Sequence, residues 1–426
     1  MSRPGGSALH ALRTGDARFV LLRYAGAGLG AAKALVFAHL LDVAVFGIVA
    51  LVLQTAALLE AAMLGGVTGL LHRYFNDPAA GEESFARFVP AAGAWLAGVA
   101  VLALALGAAW EVLFWSALLF ALGSGFLLLE PSLRVRGRLG LVALPPILLN
   151  LLSLALVPAL LWLRADPPLW TILAALVASQ AGAQAIFLRL VLTRERVPAA
   201  RQGRGPLRLW TDYLDFVRAG FPIFLGSMAY MLLTYVDRFF IATFHPAPDL
   251  GVHALAAQFA LIGLVGLQGW SYVAAVRIGT AIKEDRPVAP VVRRALHVAA
   301  AIGGAALAAL LALSWILEAT LFARYQGLFA AVALGAPGLV AYNAVSAAAA
   351  LLYYRQRQKP LHRALLTVLA ANVAIDLGLS LAGASYLWIV GATGGLFLCL
   401  AAAAAAFVRR CLDGSAPLAA GAGGGV

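Results

Sequence analysis

The 426-residue chain is 63% hydrophobic and only 12% charged, with a mean hydropathy of +0.91. Soluble domains keep roughly 25% of their residues charged to wet their surfaces. Half that share excludes an ordinary globular enzyme and requires a surface that faces lipid. The net charge of +12 is not a nucleic-acid footprint, because the basic residues sit in short clusters between apolar runs, the pattern that orients membrane proteins. Cys399 and Cys411 are too few for a disulfide framework or a metal site and read as inert thiols.

Residues 1–18 lack the apolar core and small-residue cleavage site of a signal peptide, so the first span is expected to act as the insertion signal. A bilayer core needs about 20 apolar residues per helix. Twelve runs meet that need: 19–41, 43–71, 88–109, 112–130, 140–163, 168–190, 218–244, 250–276, 295–321, 326–353, 363–384 and 386–408. They are continuous rather than alternating, which favours helices over a membrane barrel. The fold class is therefore an all-α polytopic membrane protein, and prolines such as Pro90, Pro145, Pro158 and Pro337 are tolerable kinks within it.

The loops alternate in charge. One side carries Arg13 and Arg18, Arg73 and Arg87, Arg134 to Arg138, Arg194 to Arg208, Arg277 to Arg294, Arg355 to Arg363, and Arg409 with Arg410, whereas the other holds only Arg164 and Arg324. That bias places both termini in the cytoplasm of a multi-pass inner-membrane protein. The chain divides into a six-helix lobe at 1–192, a basic cytoplasmic linker at 193–217, a second six-helix lobe at 218–412 and a disordered tail at 413–426. The linker reads equally well as an interfacial helix leading into the seventh span, with Leu207, Leu209, Trp210, Leu214 and Phe216 alternating with polar residues, or as a plain charged connection.

An internal repeat relates the lobes. A shift of 204 positions superposes the second span on the eighth without a gap, matching Gly47 with Gly251, Ala50 with Ala254, Gln54 with Gln258, Gly65 with Gly269 and Arg73 with Arg277. Six spans separate the copies, so both have the same orientation. Parallel repeats of this kind build transporters with a path between the halves.

Two stretches carry a family resemblance. The first runs from Ala38 to Phe75, with Phe46–Gly47 opening the second helix and Arg73–Tyr74 closing it. The second runs from Phe216 to Phe244, with Phe221–Pro222 at the start of the seventh helix and Asp237–Arg238 inside it. Together they resemble the polysaccharide-biosynthesis, or Wzx-type, flippases of the multidrug/oligosaccharidyl-lipid/polysaccharide (MOP) exporter superfamily, dense around spans one, two, seven and eight. The resemblance implies two six-helix bundles, alternating access, and translocation of undecaprenyl-diphosphate-linked oligosaccharide. It also implies membrane lipids and polysaccharide assembly proteins as partners.

Charges inside spans mark the candidate site, since each costs ~2.5–3.5 kcal/mol at the bilayer centre on insertion scales. On the first span Arg23, Gly26, Gly30 and Lys33 share one face, with the two cations ~15 Å apart along the axis. That stripe would suit a lipid diphosphate, although Arg23 can also snorkel to the interface and Lys33 can reach the opposite surface. On the seventh span stand Asp237 and Arg238. The repeat sets Asp237 opposite Lys33, suggesting either a pair that forms and breaks during transport or a fixed ion pair. Gln54 and Gln258 are candidates for sugar hydroxyls or for bonds between helices. Glu60, and Asp376 near Asn372, are candidates for a coupling Na⁺ or proton, or for hydrogen bonds to a neighbouring helix.

Other chemistries lack their motifs. The segment from Gly26 to Lys33 has Ala31 where a phosphate loop needs its second glycine. The seven histidines show no metal-ligand spacing, and no loop is long enough for a glycosyltransferase or polymerase site. The expectation is a transporter with no catalytic residues and no cofactor. The alternatives are a cation-coupled drug exporter of the MATE type and a non-transporting scaffold of a polysaccharide export complex.

Overall fold

The structure, a computed structural model, describes residues 17–61, 63–76, 78–136, 138–164, 166–194 and 206–413. The N-terminal segment 1–16, linker residues 195–205 and tail residues 414–426 lie outside the described residues, and with them the disorder expected of the tail. All described elements are helices: α1 Ala17–Leu40, α2 Val43–Ala61, α3 Leu64–Asn76, α4 Pro78–Gly107, α5 Glu111–Val135, α6 Leu139–Leu163 and α7 Leu169–Arg194, followed by α8 Pro206–Phe244, α9 Ala247–Lys283, α10 Val288–Ala319, α11 Leu328–Tyr354, α12 Lys359–Leu381 and α13 Tyr386–Asp413. Helices dominate because hydrocarbon offers the backbone no partner, so its polar groups must bond within the segment. Twelve of these helices are long and apolar enough to cross a membrane, the number expected, and the protein is multi-pass. Short α3 is the remaining one.

One expected span is broken. Residues 43–71 form two helices, α2 ending at Ala61 and α3 starting at Leu64. Each glycine in a helix interior costs about 1 kcal/mol against alanine, and Gly65, Gly66 and Gly69 crowd the start of α3. Tertiary packing explains their presence. A Cβ on Gly66 would overlap the Tyr213 ring, one on Gly69 would overlap the Phe216 carbonyl oxygen, and one on Gly220 would lie 2.5 Å from the Gly65 oxygen. Here α8 lies in a glycine-lined groove on α3.

The chain forms two compact units. The first comprises Met1–Gln258 with Thr320–Gln326, and the second Phe259–Ala319 with Gly327–Val426. Within the first, the linker sequence from Pro206 onward is the N-terminal part of a single helix that continues to Phe244. Tyr213 and Phe216 on it are fully buried among Met63, Val67, Phe85 and Phe88, while Trp210 and Leu214 are exposed. The Tyr213 hydroxyl donates to the Met63 carbonyl at 3.3 Å, and its ring stacks on Trp95 with centroids 5.0 Å apart. Burial raises the Tyr213 phenol pKa above its ordinary value. Arg87 anchors the same segment through Asp212 at 2.6 Å.

Arg324 also has a structural role in this unit. Its guanidinium donates to the carbonyls of Ala38, at 2.6 Å, and His39, while the Tyr325 hydroxyl donates to Ala38 at 2.8 Å. The last carbonyls of α1 carry the negative end of the helix dipole, so a cation there satisfies both charge and hydrogen bonding.

In the second unit α11 and α13 cross where Gly338 and Gly394 meet. A Cβ on Gly338 would overlap the Gly394 carbonyl oxygen. Small residues permit such approach, and dispersion then supplies the attraction that lipid-facing side chains lack. The Glu318 carboxylate accepts the first amides of α11, from Gly327 at 2.8 Å and Phe329 at 2.6 Å, with Gly327 at φ 91°.

Candidate functional site

Three polar clusters occupy the apolar helices. The first surrounds Arg238, near the end of α8, which is 1% exposed. Its Nη1 donates to the Gln54 Oε1 on α2. The Gln54 Nε2 in turn donates to the Tyr235 carbonyl at 3.2 Å, tying the amide to α8. The guanidinium carbon lies 5.7 Å from the centre of the Tyr235 ring, and Asp237 attracts the cation electrostatically. On α9, buried His253 lies within electrostatic range of the guanidinium. The helices bearing these groups come close because Gly47 and Gly251 meet, a Cβ on Gly47 falling 2.6 Å from the Gly251 nitrogen. Those two glycines are mates in the internal repeat, and here they touch.

Two donors of the cluster are left over. Among the described residues the Arg238 Nε and Nη2 have no hydrogen-bond partner, and neither has the His253 Nδ1. A buried donor left unmade costs about 1–3 kcal/mol, more when charged. Asp237 offsets charge, but the two nitrogens stay available to a forked oxyanion such as a phosphate, which guanidinium geometry suits.

The second cluster surrounds Glu60 at the end of α2. The site of a Cβ on Gly123 of α5 lies 2.9 Å from the Glu60 Oε1 and 2.6 Å from the Gln180 Nε2 of α7, so both side chains point at one spot. Gln184, one turn further on, donates to the Gly123 carbonyl at 2.9 Å. Glu130, which pairs with Arg134, adds a second negative charge within electrostatic range of Glu60. Glycine at 123 leaves room for the carboxylate and amide that converge there.

The third cluster lies in the second unit. Asn372, Asp376 and Ser380 follow at four-residue intervals on one face of α12, and Asn372 and Asp376 are fully buried. The Asn372 Nδ2 donates to the Asp376 Oδ2 at 3.2 Å, and the Thr393 Oγ1 of α13 donates to the Asn372 Oδ1 at 2.8 Å. Carboxylate, amide and hydroxyl oxygens form a hard donor set that suits a small cation or a proton.

The remaining candidates are placed differently. Arg23 is exposed and Lys33 half-buried. The glycines between them face α6: Gly26 accepts a hydrogen bond from the Asn150 Nδ2 at 3.2 Å, and the Asn150 amide also lies over Gly30. A neighbouring helix thus uses the smooth part of that stripe. Gln258, the repeat mate of Gln54, is half-buried and sits at the end of the first unit. No group of three His, Cys, Asp or Glu among the described residues is arranged to hold a metal ion. Sequence reasoning missed His253, Gln180, Gln184 and Thr393. Only the proximity of His253 to the motif-bearing start of the eighth span hinted at any of them.

No protein-family model matches the sequence, and no curated protein matches it. Solved structures do match in fold. A point mutant of the Vibrio cholerae MATE transporter VcmN superposes with a TM-score of 0.64 at 15% identity, over 96% of this chain and 98% of that one. An inward-facing multidrug resistance MATE family transporter of the MOP superfamily gives 0.66 at 16% identity, over 93% and 100%. The lipid II flippase MurJ, in an inward closed conformation, gives 0.66 at 11% identity, over 92% and 87%. The all-helical architecture with two repeat halves is therefore the fold of MOP-superfamily transporters.

Proposed function

We propose that this protein is an alternating-access flippase that moves an undecaprenyl-diphosphate-linked oligosaccharide, a surface-polysaccharide precursor, from the cytoplasmic to the periplasmic leaflet of a bacterial inner membrane. The observation that carries this reading is Arg238, a guanidinium buried in apolar helices with two donors unused. Such a group costs too much to be idle, and a diphosphate is a ligand that takes a bidentate guanidinium. In this reading Arg238 holds one phosphate when the surrounding helices part. Gln54 then exchanges its bond to Arg238 for a sugar hydroxyl, and Lys33 and Arg23 extend the cationic path along α1. The arginine-rich loops put both termini in the cytoplasm.

The fold it shares with a lipid II flippase supports a lipid-linked cargo, and its likeness to MATE transporters supports a second reading, a cation-coupled exporter. The Asp376 cluster specifically favours coupling: its oxygens fit Na⁺ or H⁺, and Glu60 with Gln180 is the corresponding candidate in the first unit. Asp237 gates by exchanging partners between Arg238 and Lys33.

Proteoliposomes carrying a fluorescent undecaprenyl-diphosphate oligosaccharide test the cargo. The wild type should expose label to an impermeant quencher, and Arg238→Gln should slow this roughly tenfold or more, the loss expected for one charge-assisted fork. Equal rates with and without protein, together with proton-driven extrusion of a cationic dye, would replace the flippase reading by the exporter reading.

A further inference from the structure

We propose that the hairpin joining α9 and α10 holds the phosphate headgroup of an anionic membrane phospholipid, a resident lipid and not the transported cargo. A cavity of about 250 Å³ opens there, lined by Trp270, Arg277 and Thr280 from α9, Arg286 from the connecting turn and Arg294 from α10. Arginines from three separate stretches thus converge on one space. Membrane orientation explains basic residues in this loop, but it needs them only to be in the loop and not turned toward one another. Three guanidinium groups around a cavity repel unless an anion sits among them.

The local acids neutralise one of the three and leave two without an anion. Glu284 engages Arg286 at 2.7 Å, while Arg277 and Arg294 have no ion-pair partner among the described residues. The wall is preorganised: the Trp270 indole donates to the Ala295 carbonyl at 2.9 Å, pinning α9 to α10, and Arg277 lies 5.5 Å over the same indole. Cation–π contact fixes the direction of the guanidinium without using its donors, so less order is lost when a phosphate binds.

The adjoining surface identifies the ligand as lipid-borne. Tyr272, Val273 and Val276, on the same stretch of α9, are 71%, 38% and 50% exposed. That apolar strip runs up to Arg277 and offers acyl chains a path along the helix. A basic pocket beside an exposed apolar strip, at the end of spanning helices, is an arrangement suited to anionic headgroups. The site is chemically distinct from Arg238, which is buried and single, and it stands whether or not the transport reading does.

The test uses the full chain purified in maltoside detergent, with thermal unfolding followed as phosphatidylglycerol is titrated in. Phosphatidylglycerol should raise the midpoint, while phosphatidylcholine or inorganic phosphate at the same concentration should not. Arg277→Gln with Arg294→Gln should raise the half-maximal lipid concentration roughly tenfold or more, whereas Arg409→Gln with Arg410→Gln should leave it unchanged. An unchanged response in the first variant, an equal loss in the second, or an equal effect of inorganic phosphate overturns the proposal. If the first variant does not fold, a photoreactive phosphatidylglycerol on the wild type decides: label within residues 270–295 supports the site, and label only elsewhere overturns it.

Discussion

Helices α2 and α3 and the single helix α9 are copies in the internal repeat, yet one copy is broken and the other runs unbroken for 37 residues. What differs is the neighbour each copy receives. Gly65, Gly66 and Gly69 of α3 accept Phe224, Tyr213 and Phe216 of α8 respectively, and the groove works only without side chains. At the matching places α9 has Gly269, Trp270 and an exposed Val273. The first copy is followed, four spans later, by a linker whose continuation into the next helix fills the groove. The second copy fills its own surface with a tryptophan, and an arginine pocket remains beside it. A repeat preserves hydropathy and length while the ends of its helices diverge toward different partners.

The largest expected effect comes from blocking the groove. Gly69→Leu places a side chain where even a Cβ would overlap the Phe216 carbonyl. The cost should exceed the ~1–3 kcal/mol of ordinary overpacking, because backbone and not a flexible side chain must move. Fluorescence-detected size exclusion should then show little monodisperse protein, and a wild-type profile would mean that α8 does not seat there. Trp270→Ala, on the other copy, should cost about 2–4 kcal/mol, toward the low end of tryptophan truncations because the residue is only half-buried. The detergent unfolding midpoint reads this, and a drop as large as that of Gly69→Leu would erase the contrast between the copies.

The matched glutamines sharpen the comparison further. Gln54→Leu strips Arg238 of its hydrogen-bond acceptor and should cost about 1.5–3 kcal/mol. Gln258→Leu should stay within about 0.5 kcal/mol, because half-buried Gln258 has no hydrogen bond among the described residues. Equal midpoints for the two variants would show that the repeat mates are equivalent after all. Smallest of all, Arg87→Gln should cost under about 1 kcal/mol, since its pair with Asp212 is partly solvated, and the loss should shrink in high salt.

Much of this architecture is legible in one dimension. Crossing a bilayer is a local test of length and apolarity, so twelve spans, their approximate ends and the charge asymmetry of their loops follow from consecutive residues. The parallel repeat is legible for the same reason, through Gln54 with Gln258 and Gly47 with Gly251. The residue types of the site were also visible, because a charge in an apolar run stands out. Their companions were not. Arg238 takes Gln54 from 184 positions away, Glu60 meets Gln180 over Gly123, and Asn372 is held by Thr393 on the next helix. In lipid a helix can present any face to its neighbour, since no hydrophobic contrast selects one. Which polar groups meet therefore depends on where glycines let backbones approach, and only the packed helices specify that.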